Sequence, residues 1–124
     1  MTTIVDASVV LAWLQGEPGG DAAEPHLMEG IIGAANWSEV LRKARQHGAS
    51  IEETARLLNS FGLRVVEVNE QDAELAAALD QASSPLSLAD RLCLALGMRL
   101  DLPVATADRA WLRVGGGPEV IPIR

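Results

Sequence analysis

Thr2-Thr-Ile-Val-Asp6-Ala-Ser-Val-Val-Leu-Ala-Trp-Leu-Gln15 is the stretch from which the fold is read. Residues 2–6 are β-branched and apolar and end on a carboxylate, the pattern of a short buried strand. Residues 7–15 read as a helix, stopped by Gly16-Glu-Pro-Gly-Gly20. The same alternation continues outward. Residues 21–29 form a weaker helix containing Pro25, and Ile31-Ile32 is a very short strand. From Asn36 the period changes, and Trp37, Val40, Leu41 and Ala44 make one apolar face of a helix to about His47. Ser50 and Glu53 form a capping box for a helix to about Phe61. Residues 63–68 read as a strand, 70–81 as a helix, Ser83-Ser-Pro85 as a loop and 87–100 as a largely apolar helix. A strand at 103–106, a short turn or helix at 108–113 and a last strand at 120–123 complete the chain. Strands alternating with helices imply a parallel sheet covered on both faces.

The 124 residues fit one domain, 1–124, and 48% hydrophobic content suffices for one packed core. A net charge of −7 excludes holding nucleic acid by bulk basicity. Aromatic residues are confined to Phe61, Trp13, Trp37 and Trp111, too few for a base-stacking platform. Cys93 stands alone, which rules out an internal disulfide framework or a thiolate zinc cluster and fits a reducing cytosol. His26 and His47 are too few for a histidine-rich metal site. The N-terminus lacks a basic segment and Asp6 interrupts it, so it does not read as a signal peptide. The apolar run 92–98 lies between Arg91 and Arg99 and falls short of the roughly 20 residues that span a bilayer. A cytoplasmic protein without membrane association is expected.

In an open α/β sheet, ligands bind beyond the carboxyl ends of the strands. Four carboxylates from four separate segments fall near that edge. Asp6 closes the first strand, Glu39 lies in the first turn after the second, Asp108 follows the strand at 103–106 by two residues, and Asp90 opens the helix feeding that strand. Such carboxylates repel one another, and desolvation adds to the cost. A divalent cation removes both costs, and hard oxygen ligands suit Mg²⁺ or Mn²⁺. Each acid also has a plainer use. Asn36 and Glu39, and Ser87 and Asp90, fit capping boxes, while Asp6 and Asp108 can cap the helices that follow them.

The segments Ile4-Val-Asp6-Ala-Ser8, Asn36-Trp-Ser-Glu39-Val, Leu86-Ser-Leu-Ala-Asp90-Arg-Leu-Cys and Val104-Ala-Thr106-Ala-Asp108, in this order and spacing, resemble the PIN-domain ribonucleases. More narrowly they resemble the VapC-type toxins of toxin–antitoxin pairs. The resemblance covers essentially the whole chain. It implies a three-layer α/β/α sandwich around a short, mainly parallel sheet and an acidic pocket binding one or two Mg²⁺ or Mn²⁺ ions. It also implies metal-dependent RNA cleavage by activated water. It places Asp6, Glu39, Asp90 and Asp108 in the four acidic positions. Asp6 and Asp108 would be direct ligands, and Glu39 and Asp90 ligands or orienters of water. Thr106, Ser8 and Asn36 would support them by hydrogen bonds. The resemblance further implies a homodimer held inactive by a small antitoxin, in a toxin–antitoxin hetero-oligomer. For such contacts the helix at 50–61 and the first helix offer apolar surface.

RNA is polyanionic and this chain is acidic. Setting the four pocket carboxylates aside leaves −3 on the remainder. Arg42 and Lys43 on the Glu39 helix, and Arg91 and Arg109 directly after two of the acids, are candidate phosphate contacts. Two other metal-using α/β classes fit less well. A phosphorylation receiver needs an acidic pair near the start, whereas Asp6 is followed by Ala7. A haloacid-dehalogenase-type phosphatase needs Asp-x-Asp, whereas position 8 is Ser. The remaining alternative is a catalytically silent PIN-like module that binds RNA or protein.

Overall fold

The computed structural model describes residues 1–79 and 85–124. Apolar pairs and triplets bounded by turn residues give strands of only two or three residues. These are β1 (Ile4–Val5), β2 (Ile31–Gly33), β3 (Arg64–Val66), β4 (Val104–Thr106) and β5 (Val120–Pro122). All neighbouring pairs are parallel, and the strand order is β3-β2-β1-β4-β5. Ile4 is level with Ile31 on one side and Val104 on the other, and Val5 with Ile32 and Ala105. Parallel strands need crossovers, and helices supply them. They are α1 (Ala7–Gln15), α2 (Gly20–Leu27), α3 (Ala34–Gln46), α4 (Ile51–Ser60), α5 (Glu70–Ala77) and α6 (Leu88–Leu100), with a 3-10 turn at Arg109–Arg113.

The period-2 pleat sends alternate side chains to opposite faces. Val5, Ile32 and Ala105 join Val9, Val10, Val40 and Leu58 in a core under α1 to α4. Ile4, Ile31 and Val104 join Cys93, Leu94, Leu96 and Trp111 in a second core on the α6 side. The result is the expected three-layer α/β/α sandwich. Burying each of Ile4, Val5 and Val104 contributes about 1.5–3 kcal/mol relative to exposure.

Several element ends differ from the sequence expectation, each for a local reason. The strand expected at 2–6 is two residues long because Asp6 already has cap geometry and accepts the Val9 N–H. α1 ends as expected, with Gly16 in the left-handed region at φ 66°. α3 starts at Ala34 with Gly33 as its cap, two residues before Asn36. Asn36 therefore lies inside the helix and is not its cap, and the expected Asn36–Glu39 box does not form. α2 forms despite Pro25, because Ala23 and Leu27 are buried. β3 covers only the middle of the expected 63–68 strand. Asn69 and Asp72 make a complete capping box for α5, which ends at Ala77. Gln81 and the start of the expected Ser83-Ser-Pro85 loop lie outside the described residues. Asp72 also receives the Arg99 guanidinium at 2.6 Å and 3.1 Å, tying α5 to α6.

Gly30 sets the start of β2, and with it the height of α3 against the sheet. A Cβ at this position would be driven into the His26 carbonyl oxygen, with Leu63 Cδ1 3.5 Å away. Backbone has no rotamer with which to yield. Gly30→Ala is expected to destabilise the fold by about 2 kcal/mol or more, measured as a lower urea midpoint with unchanged slope. An unchanged midpoint would show that β2 is free to shift.

Candidate active site

The strand order reverses direction at the β1–β4 pair, since β2 and β3 lie to one side and β5 to the other. At such a switch point the crossovers depart to opposite faces and leave a crevice at the carboxyl edge. Asp6 leaves β1 there, and Thr106 ends β4 beside it. A cavity of about 270 Å³ occupies this edge, and Asp6, Glu39, Asp90 and Asp108 all line it, with Ser8, Asn36 and Lys43. The N-termini of α1, α3 and α6 meet at this edge, and their partial positive charge favours carboxylates.

Asp6 is the buried member, 4% exposed. Its Oδ1 accepts the Ser8 hydroxyl at 2.6 Å and the Val9 N–H at 3.1 Å, and its Oδ2 accepts the Thr106 hydroxyl at 2.7 Å. Each hydroxyl oxygen in turn accepts a backbone N–H from the segment after β4, Ser8 from Ala107 and Thr106 from Asp108. Ser8 and Thr106 thus spend their protons on Asp6 and their lone pairs on the loop that carries Asp108. These hydrogen bonds fix the two aspartates relative to each other.

Asn36 performs a parallel task. It is 2% exposed; its Oδ1 accepts the Ala7 N–H and its Nδ2 donates to the Ala89 carbonyl. It joins the starts of α1 and α6 across α3, the three elements that carry Asp6, Asp90 and Glu39. The capping uses of Asp6, Asp90 and Asp108 are also real. Asp90 Oδ2 accepts the Ser87 N–H, and Asp108 Oδ1 accepts the Ala110 N–H. Among the described residues, Asp90 Oδ1, Asp108 Oδ2 and the Glu39 carboxylate accept no protein hydrogen bond, which leaves oxygen acceptors for a ligand.

Burial raises the Asp6 carboxyl to about 6, outweighing the hydrogen bonds from Ser8, Thr106 and Val9, with Asp90 adding to the rise. Burial and then Asp90 raise Glu39, while Lys43 opposes them. Burial, followed by Asp6, Asp90 and Glu39, pushes up the Cys93 thiol. Cys93 is a free thiol packed in the second core, where it serves as a small buried hydrophobe. The cavity is therefore short of positive charge. Its donor set, hard oxygens with unused lone pairs, fits Mg²⁺ or Mn²⁺. As the side chains stand, no three His, Cys, Asp or Glu among the described residues are grouped as a ready cage for an ion.

The candidate phosphate contacts separate. Lys43 lines the acidic cavity, whereas Arg42 lines a groove on another face of α3 with Trp37, Leu41, Arg45 and Ile51. Arg109 donates to the Arg124 carbonyl. Arg91 is half-buried, and its Nε has no partner among the described residues. Trp37 is half-buried; it packs against the first core and also lines that outer groove. Trp111 also lines the cavity, a place its sequence context did not reveal; it is 1% exposed.

Residues 3–117 match the family model of the PIN domain, and the chain belongs to that family. No curated protein sequence matches the chain. Among solved structures, the chain is similar to one from a toxin–antitoxin complex of Klebsiella pneumoniae. The TM-score is 0.76 at 20% identity, covering 98% of each chain. It is similar to FitAcB of Neisseria gonorrhoeae, with a TM-score of 0.72, 17% identity and coverage of 99% of this chain and 98% of that one. It is also similar to VapC20 of Mycobacterium tuberculosis, described as a Sarcin-Ricin loop cleaving toxin. Here the TM-score is 0.71 at 16% identity, covering 98% of this chain and 100% of that one. At these identities the likeness is one of fold. No helix among the described residues is long and apolar enough to cross a membrane.

The raised Asp6 carboxyl has a measurable consequence in the metal-free protein. The folded chain holds this proton more tightly than an ordinary Asp, which titrates near 3.8. The cost of ionising Asp6 is thus absent below pH 3.8, grows as pH rises, and is complete above about 6. Its size is on the order of 3 kcal/mol. In EDTA, Asp6→Asn is expected to gain stability relative to wild type as pH rises through this window. Urea titrations at pH 4 and pH 8 measure it. A difference between the two proteins that does not change with pH would refute the buried, destabilised carboxylate.

Proposed function

We propose that this chain is a metal-dependent endoribonuclease, the VapC-type toxin of a type II toxin–antitoxin pair. The observation that carries the reading is the convergence of Asp6, Glu39, Asp90 and Asp108, from four separate elements, on one cavity at the switch point of a PIN fold. Four carboxylates in one crevice, one of them buried, are a costly arrangement for stability alone. The toxin reading is supported by structural neighbours whose own descriptions are of toxin–antitoxin complexes.

In this reading Asp6 and Asp108 hold Mg²⁺ or Mn²⁺ directly, and Glu39 and Asp90 complete the set or orient water. A divalent ion held there would supply a lowered water pKa and stabilisation of charge on phosphoryl oxygens. Ser8 and Thr106 keep both Asp6 oxygens in place as acceptors, and Asn36 keeps the three helix starts in register. Trp111 and Leu11 give the cavity an apolar wall that limits water around the acids. The protein acts in the cytoplasm as a homodimer under the control of an antitoxin, in a hetero-oligomer with it. Ile51 and Leu57, exposed on α4, are apolar surface for such contacts.

Purified protein with Mg²⁺ is expected to cut RNA, and Asp6→Asn and Asp108→Asn to lose about 100-fold or more in rate. Cleavage that is equal in wild type and both variants would reject the assigned site. Thr106→Val keeps the shape but removes the donor to Asp6 and the acceptor for the Asp108 N–H. It is expected to lose about 10–100-fold in metal affinity or rate. Mn²⁺ titration of the variant reads this directly, and wild-type affinity with a wild-type rate would show that the hydroxyl is dispensable.

A further inference from the structure

The chain has nine arginines and a single lysine, Lys43. Among the described residues, that lysine is the one cation lining the acidic cavity. It follows Glu39 by four residues on α3, so both project from one side of the helix, with Glu N-terminal to Lys in the favourable order. The position is specific. One residue earlier, Arg42 faces the outer groove; two residues later, Arg45 does the same. Three of the arginines are engaged elsewhere. Arg99 is paired with Asp72, Arg109 donates to the Arg124 carbonyl and Arg124 to the Pro18 carbonyl. Lys43 is exposed, and among the described residues no ion pair or hydrogen bond holds its ammonium. Its charge is felt in the cavity nonetheless, because it opposes the rise of the Glu39 carboxyl.

A phosphodiester entering a pocket of four carboxylates meets repulsion everywhere except beside a cation. Divalent ions neutralise the carboxylates but leave the direction of approach open. An unpaired ammonium on a flexible four-carbon stem supplies that direction, because a compact point charge can leave one anion for another. We propose that Lys43 is the phosphate-anchoring residue of the cavity, its ammonium passing from the neighbourhood of Glu39 to a non-bridging oxygen of the bound RNA backbone. This deepens the nuclease reading and rests on it. It also selects one residue from the four basic candidates that the sequence offered.

The test compares Lys43→Gln and Lys43→Arg with wild type, and with Arg56→Gln as a matched loss of one exposed charge on α4. The substrate is a transfer- and ribosomal-RNA preparation with Mg²⁺ at several salt concentrations. A second measurement titrates Mn²⁺ alone into each RNA-free protein. Lys43→Gln is expected to lose about 10-fold or more in kcat/KM, chiefly through KM, and to lower the salt slope by about one. Lys43→Arg should recover most of the loss, and Arg56→Gln should behave as wild type. Mn²⁺ should bind Lys43→Gln a few-fold more tightly, roughly as expected when a positive charge leaves an acidic cavity. Wild-type KM and salt slope in Lys43→Gln would overturn the proposal while leaving the nuclease intact. So would a loss confined to kcat together with weaker Mn²⁺ binding, which would make Lys43 a support of the metal site. Absence of RNA cleavage by the wild-type protein would overturn the nuclease reading itself, and this proposal with it.

Discussion

A carboxylate taken out of water needs hydrogen bonds or a cation, and Asp6 sits where both requirements shape the molecule. It is the last residue before α1 and the neighbour of the end of β4, so its surroundings are set by the central strand pair. Ser8, Thr106 and the Val9 N–H supply three hydrogen bonds, yet burial still holds its carboxyl near 6. The stabilised part of this arrangement fixes the loop after β4, and through it Asp108. The part left uncompensated is what a divalent ion would offset. The same group therefore organises the fold locally and leaves the site short of charge.

Helix capping and ligand binding are usually weighed as rival explanations for an acid after a strand. Here they divide the carboxylate between them. Asp90 uses Oδ2 and Asp108 uses Oδ1 for backbone N–H groups, and each keeps the other oxygen. A cap orients the carboxylate and removes its rotamer freedom before any ligand arrives, which is preorganisation by backbone hydrogen bonds. Glu39 is different. It caps nothing, because α3 begins directly after β2 at Ala34, and its orientation rests on its position along the helix.

That helix also shows how one element serves three surroundings. Asn36, Val40 and Ala44 face inward and are buried. Glu39 and Lys43 face the acidic cavity, while Trp37, Leu41, Arg42 and Arg45 face an outer groove. The sequence showed an amphipathic helix but merged the first and third of these stripes, because apolar periodicity does not distinguish a core from a half-covered groove. The net charge of −7 resolves in the same way. A large part of it is concentrated in one cavity with a single lysine at its wall, and it is no longer an argument against a polyanionic substrate.

Much of this protein was legible in the chain of residues. The alternation of short apolar runs with amphipathic segments fixed a parallel α/β/α sandwich, since strands that short and apolar are stable only when covered on both faces. Ser87 with Asp90, and Ser50 with the Glu53 N–H, announced their helix starts because capping is a local interaction between residues three apart. The four acids were read from their places at strand ends and in first helical turns, whereas the hydroxyls of Ser8 and Thr106 entered through the resemblance to a family. Tertiary structure alone decided the rest. Asn36 turned from an expected cap into a clamp between Ala7 and Ala89, Trp111 became a buried wall of the cavity, and Lys43 was separated from Arg42. Each of these depends on contacts between residues far apart in sequence, or on how one helix is rotated against the sheet. Local propensity specifies neither; packing does.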